Sequence, residues 1–590
     1  MELEWFEMRT TRRRPVSGMV WIPLRSYSTI SQQGKYGYPG FSQEFFGSGS
    51  LAVPLSQRGD AERLRWNDIG PSHEQRSHAF RESYKPADIY QYQDEKDLGV
   101  ELVLYQSFDG AVPPEWHLNL DFVISLGLYR EGDTWVCPDE AFAEVAKLKR
   151  GADGRPNCIE VKAEFLRDYL AARHMALRLT WYRQRIATVS DASFVTWADR
   201  QLFETNSDGR FEGRCWKAGE GGEPLDTGVA VFRSWRTDVD DEIDVPTFGP
   251  ESSDNTDYES HSFIRESERT VFMIEGEVWR DEWVEPADKS TRIRGDEVPP
   301  SAFFITDASG ARESRATLDH EDVGKNLWFR GQVVPNILQR RGSTMTWYTG
   351  NTGGIELTAG RNVHFGMNGL GLINVYAYDV CRLPDWQQQI WAGFNVSPEG
   401  KVSDELLAAQ MQTRPARTYA PERLFAESLD EIDKSFADKF GKPLLRSHQS
   451  TAEILRSVHR FRSFDHGGLL ALAKDVARLT ADRIDVIQLH AIVSPTKGEM
   501  WRSLKSLEKV VGSVNSGVDP RSLLAPLVGI YELRLGDAHL PADQIDEAFQ
   551  LARIGRSRPH VIQGGQLIMS AAWSLHWISE VIAGRPGPQS

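Results

Sequence analysis

LLALAKDVARLTADRIDVIQL, residues 469–489, repeats apolar side chains at spacings of three and four, the period of one helix face. The same spacing recurs in EMWRSLKSLEKVVGSV, residues 499–514, through Trp501, Leu504, Leu507 and Val510 or Val511. Asp519-Pro520 opens another helix, since Asp can accept from free backbone N–H groups and Pro is tolerated at the first helical position. That helix runs through Leu523, Leu527, Ile530 and Leu533, and further helices follow at 543–553 and 563–582. Amphipathic helices joined by short breaks predict an all-helical bundle over 448–590.

Toward the N-terminus the period changes from 3.6 to 2. TVFMIEGEVW, NLWFRGQVV, TMTWYTG, GIELTAG and LINVYAYDV read as short strands between Gly and Asn turns. MALRLTWYR, residues 175–183, alternates, with Ala176, Arg178 and Thr180 on one face and Leu177, Leu179 and Trp181 on the other. VKAEFLRDYLAARHM, residues 161–175, interrupts these strands as a helix through Phe165, Leu166, Tyr169 and Leu170. The predicted fold class is therefore multi-domain α+β, with sandwich- or barrel-like strand units before a helical bundle.

The expected organisation is a strand-rich domain over 1–237, an acidic linker over 238–260 and a second strand-rich domain over 261–400. A helical connector over 401–447, broken at Pro415, Pro421 and Pro443, then leads to the bundle. A chain of 590 residues exceeds what one core normally serves. The formal charge of −16 argues against a protein that simply coats nucleic acid. The acid lies in the front, and the tail from Leu445 is mildly basic. Cys137, Cys158, Cys215 and Cys381 form no C-x-x-C pair, which predicts free thiols in a reducing, cytoplasmic setting. No signal peptide or apolar run of membrane-spanning length occurs, so no membrane partner is expected. Phosphate-loop, dinucleotide-binding and G-x-S-x-G signatures are absent.

Two motifs carry chemistry. The first is Arg534-Leu-Gly-Asp-Ala-His539, with Asp537 between the pair. An Arg–His spacing of this kind also ends at His174, His320, His466, His490 and His560; context favours His539, which lies at the end of an apolar helix in a bundle of the right size. Here the tail resembles the R-x4-6-H motif of HEPN domains, all-helical units common in bacterial toxins and anti-phage systems. Leu535 stands where that family usually has a polar residue. The resemblance implies a cytoplasmic, metal-independent RNase effector of toxin or defence type, with Arg534, Asp537 and His539 at the site and RNA as substrate. It also implies a homodimer through the bundle. The chemistry is consistent: His moves a proton near neutral pH, and Arg offsets charge on the phosphorane. The cluster His459-Arg460-Phe461-Arg462 is a further candidate for touching phosphate.

The second motif is Glu160-Val-Lys162 with Asp139 upstream. Metal-dependent nucleases use a D…E-x-K pattern in which carboxylates hold Mg²⁺ and Lys steadies the nucleophile or leaving group. In CIEVK, Ile159 and Val161 share one face of the expected strand, and Glu160 and Lys162 share the other. The bland reading is a solvent-facing Glu–Lys pair. A third reading is non-enzymatic: a recognition or scaffold protein whose Trp-rich strands bind an unidentified ligand such as a peptide, nucleotide or sugar, with the bundle as a HEPN-like dimerisation unit.

Overall fold

A computed structural model describes residues 2–70, 78–80, 83–85, 89–92, 96–106, 114–217, 271–321, 324–414, 416–534 and 542–586. The chain divides into two compact units, Met1–Pro138 with Ala143–Val298, and Asp139–Phe142 with Pro299–Ser590. The first is dominated by one large antiparallel sheet and the second combines a smaller sheet with the C-terminal helices. The expected α+β class, strand-rich in front and helical behind, is what forms.

The first unit opens with two short helices, α1 (Leu3–Glu7) and α2 (Arg9–Arg13). Its strands are β1 (Trp21–Gln33), β2 (Ser42–Pro54), β3 (Tyr129–Glu131), β4 (Thr134–Cys137), β5 (Ala143–Arg150) and β6 (Pro156–Lys162). Helix α3 (Ala163–Arg173) follows, then β7 (Met175–Val189), β8 (Gln201–Asn206), β9 (Gly209–Lys217) and β10 (Phe272–Val284). Their order across the sheet is β8-β9-β10-β7-β2-β1-β6-β5-β4-β3. Strand β7 is the long spine, paired along its length with β10 on one side and β2 on the other. Its Leu177, Leu179 and Trp181 enter a core with Phe165, Leu166, Tyr169 and Leu170 of α3.

On the opposite face of β7, Ala176, Arg178 and Thr180 are buried too. Segment 55–70 covers this face. Arg178 reaches it by donating to the carbonyls of Leu64 at 3.1 Å and Glu62 at 3.2 Å. A buried guanidinium is tolerable where backbone oxygens take its donors. Asp168 of α3 is a second buried charge satisfied by remote partners. It accepts from the Ser290 hydroxyl at 2.7 Å and from the amides of Thr291 and Arg292 at 2.9 and 3.0 Å.

Two expected boundaries move. The acidic stretch 238–260 lies outside the described residues, but the strands flanking it are hydrogen-bonded neighbours, with Lys217 opposite Phe272. Strand β10 therefore belongs to the first sheet, and the second unit begins at Pro299 rather than at 261. Sheet membership depends on partners distant in sequence, which composition does not reveal.

The second unit has strands β11 (Asn326–Phe329), β12 (Thr344–Trp347), β13 (Thr352–Glu356), β14 (Asn362–Met367), β15 (Ile373–Tyr376) and β16 (Asn395–Val396), ordered β12-β13-β14-β15-β11-β16. Its principal helices are α4 (Pro421–Phe440), α5 (His466–Leu479), α6 (Ser503–Val514), α7 (Pro520–Leu533), α8 (Ala542–Leu551) and α9 (His560–Ile582). The expected connector 401–447 contains α4, which places Phe425, Leu429, Ile432 and Phe436 in the helical core. Pro421 starts this helix instead of breaking it, because its missing N–H is not needed at the first position. Phe461 and Val561 pack into the core of the sheet, so sheet and bundle share apolar contacts. Among the described residues, no helix is long and apolar enough to cross a membrane.

Two tests follow from this packing. Gly276 on β10 lies so close to α1 that a Cβ there would overlap the Phe6 carbonyl oxygen. Gly276→Ala is expected to lower stability by about 1–3 kcal/mol, read from denaturant melts, because backbone cannot yield as a flexible side chain does. A fragment beginning at 448 leaves the face of α9 that packs on α4 uncovered. It is expected to melt without cooperativity, whereas a fragment from 299 should melt in one sharp transition followed by circular dichroism.

Candidate functional site

Arg534 terminates α7, directly after Leu533. Its guanidinium donates to the Asp482 carboxylate and lies over the Tyr531 ring, 4.5 Å from the centroid. The hydrogen bond to Asp482 raises its pKa and keeps the cation charged. Asp537 and His539 lie outside the described residues, in the connection 535–541 between α7 and α8. Helices α7 and α8 pack closely at Gly529, where a Cβ would overlap backbone atoms of Ala548 and Ala552. Of the motif, Arg534 alone lies among the described residues.

The D…E-x-K residues come from two places in the chain: Asp139 in the turn Pro138–Glu140 and Glu160 and Lys162 on β6. Glu160 and Lys162 share the outward face of β6 while Ile159 and Val161 are fully buried, as alternation predicts. Glu160 has a cationic partner, Lys149 Nζ, at 2.7 Å on neighbouring β5. Lys162 Nζ lies 5.6 Å from the Trp21 ring centroid. Among the described residues no group of three His, Cys, Asp or Glu side chains converges as a metal cage.

Glu160 instead lines an open groove of about 630 Å³ on the first unit, with Trp21, Phe46, Trp181, Lys149 and Arg183. Trp181 is fixed by donating its indole N–H to buried Glu282 at 2.8 Å. Glu282 also accepts from the amides of Val16 and Ser17 at 3.2 and 2.8 Å, which straps the N-terminal segment along the groove. Cys158 also lines the groove, and burial and then Glu160 push its thiol up to about 11. At neutral pH it is a neutral thiol. Sequence reading missed this groove because its walls come from five separated strands and the N-terminus. Alternation in 175–183 was the available signal.

The cluster at 459–462 turns inward, correcting the expectation that it meets phosphate. Arg460 is 3% exposed and binds Glu422 through two bonds, Nε to Oε1 at 2.9 Å and Nη2 to Oε2 at 2.8 Å. Its backbone amide donates to the same carboxylate at 3.0 Å. Its guanidinium also lies 4.3 Å from the Trp347 ring centroid on β12. Burial pushes the Glu422 carboxyl up, but Arg460 more than offsets this and holds it below the usual range. His459 is pushed down to about 4, chiefly by burial, and is neutral at physiological pH. Arg462 pairs with Asp475. The four residues form a strut between sheet and helices.

Glu422→Ala leaves Arg460 buried and unpaired, and is expected to cost about 3–5 kcal/mol in denaturant unfolding. Replacing both partners, as Glu422→Leu with Arg460→Met, should recover most of that loss. Failure to recover would mean that the charges act through something besides their pairing.

No protein-family model, curated protein or solved structure matches this chain.

Proposed function

We propose that the chain joins ligand recognition by its strand-rich unit to metal-independent RNA cleavage by a HEPN-like bundle, acting as a dimer in a toxin-like or defence system. The supporting observation is the setting of Arg534. It closes α7 with its guanidinium held from two sides by Asp482 and Tyr531, and the connection carrying Asp537 and His539 begins at the next residue. A cation fixed in this way loses little side-chain entropy when it meets a phosphate, and its planar fork suits phosphate oxygens. In the proposed reaction the RNA 2′-hydroxyl attacks the adjacent phosphorus. His539 moves the proton, Arg534 offsets the charge on the phosphorane, and Asp537 orients His539. The 5′-oxygen leaves, giving a cyclic phosphate.

The ion pair with Asp482 also favours a second reading. An Arg at a helix end that is already paired can serve stability alone, making the bundle a HEPN-like dimerisation unit of a recognition protein. The two readings separate on purified full-length protein incubated with single-stranded RNA. If the bundle is the effector, Arg534→Ala and His539→Ala each reduce cleavage by about a hundredfold or more. Melting of Arg534→Ala should shift only by what an exposed ion pair contributes, about 1 kcal/mol or less. Cleavage should persist in chelator. Undiminished cleavage in both variants would remove the bundle as the source, and no cleavage by the wild type would leave the recognition protein.

A further inference from the structure

The first unit holds a second pocket, of about 430 Å³, at the end of the β8–β9 hairpin. Arg9, Arg12, Arg13, Arg210 and Arg280 line it, and the carboxylate on its wall is Glu204. Two local rules create this cluster. The spacing of residues 9, 12 and 13 in α2 puts three arginines on one helix face. The pairing of β9 with β10 sets Arg210 opposite Trp279 and Gly209 opposite Arg280. Gly209 is obligatory here, since a Cβ would overlap the Trp279 carbonyl oxygen and crowd the Arg280 side chain.

The guanidinium groups are held in place. Arg12 donates to Glu204 at 2.7 Å and lies 4.0 Å from the Phe211 ring centroid. Arg210 covers the Trp279 ring at 4.1 Å and lies 3.6 Å from the Glu212 carboxylate. Arg280 donates to the Arg12 carbonyl and lies 3.4 Å from Glu282. Arg9 pairs with Glu7 at 2.7 Å and lies 3.5 Å from Glu4, and Arg13 is exposed. Glu7 and Glu282 are buried and are not on the pocket wall, so they orient the arginines from behind. Each guanidinium has five N–H donors, and these partners occupy one or two of them.

Such a cluster on a chain of net charge −16 is not a general basic surface. Glu204, Glu7, Glu282 and Glu212 each offset one of these arginines, and the N–H donors left over converge on one concave site that an anion can bridge. The volume falls within the range of small-ligand sites, about 300–1,000 Å³. The two aromatic rings are already covered by Arg12 and Arg210, which leaves phosphate, not a stacked base, as the recognised group.

We infer that this pocket is a binding site for a compact polyphosphate, the linked phosphates of a nucleoside triphosphate or of inorganic polyphosphate. The inference stands apart from the RNase reading, because it concerns the other unit and its test reads binding alone.

The test is isothermal titration of the full chain in physiological salt with tripolyphosphate, a nucleoside triphosphate, orthophosphate and a 20-nucleotide RNA lacking terminal phosphate. Tripolyphosphate is expected to bind one per chain, about tenfold or more tighter than orthophosphate. Arg13→Ala and Arg210→Ala should each weaken it by about tenfold, with melting curves unchanged. Arg13→Lys should retain part of the affinity. Binding of both tripolyphosphate and the nucleotide, or of tripolyphosphate alone, supports the site and identifies the source. Equal affinity for orthophosphate, or full affinity in both alanine variants, would overturn it. Tightest binding to the RNA would also overturn it by assigning the patch to nucleic acid.

Discussion

The second unit depends on one buried ion pair. Glu422 begins α4, Arg460 lies in the short turn before α5, and Trp347 ends a strand of the sheet. Removing both charges from water is expensive, and only near-ideal geometry offsets it. Here two side-chain bonds, a backbone amide and an aromatic face provide that geometry. Apolar packing alone would let sheet and helices slide over each other, since dispersion has little directional preference. A bidentate pair fixes one register, and Phe461 beside it stacks on Trp347 with an interplanar angle of 5°.

A comparable constraint orders the first unit. Strand β7 is covered on both faces, so every neighbour must supply either apolar area or acceptors for its polar side chains. Arg178 finds carbonyls, Trp181 finds Glu282, and Glu282 in turn holds the N-terminal segment. That segment then separates two cavities. From α2, Thr10 and Thr11 reach the groove that holds Glu160, whereas Arg9, Arg12 and Arg13 reach the arginine pocket. Buried polar contacts in the sheet thereby position side chains that face solvent elsewhere.

The two units offer different chemistry. The groove of the first unit presents aromatics, cations and a protonated thiol. Arg534 in the second unit is a fixed cation beside a connection that carries the proton-transferring residue type. Recognition in one unit and chemistry in the other is the division of labour that the proposed function uses.

Local patterns in the sequence determined the helices of the tail, because a helix is closed by bonds four residues apart and its buried face is written at the same spacing. The start at Asp519-Pro520, the helix at Phe165–Leu170 and the alternation of CIEVK all formed as read. The Arg534–His539 motif was equally visible, but spacing says nothing about Asp482, fifty-two residues away. Tertiary structure alone decided that β10 joins the first sheet, that α4 belongs to the bundle core and that Arg460 turns inward. It also gathered five arginines from α2, β9 and β10 into one pocket. In each case the deciding partner is remote along the chain, and hydrogen bonds between strands and between buried charges depend on folded proximity, not sequence spacing.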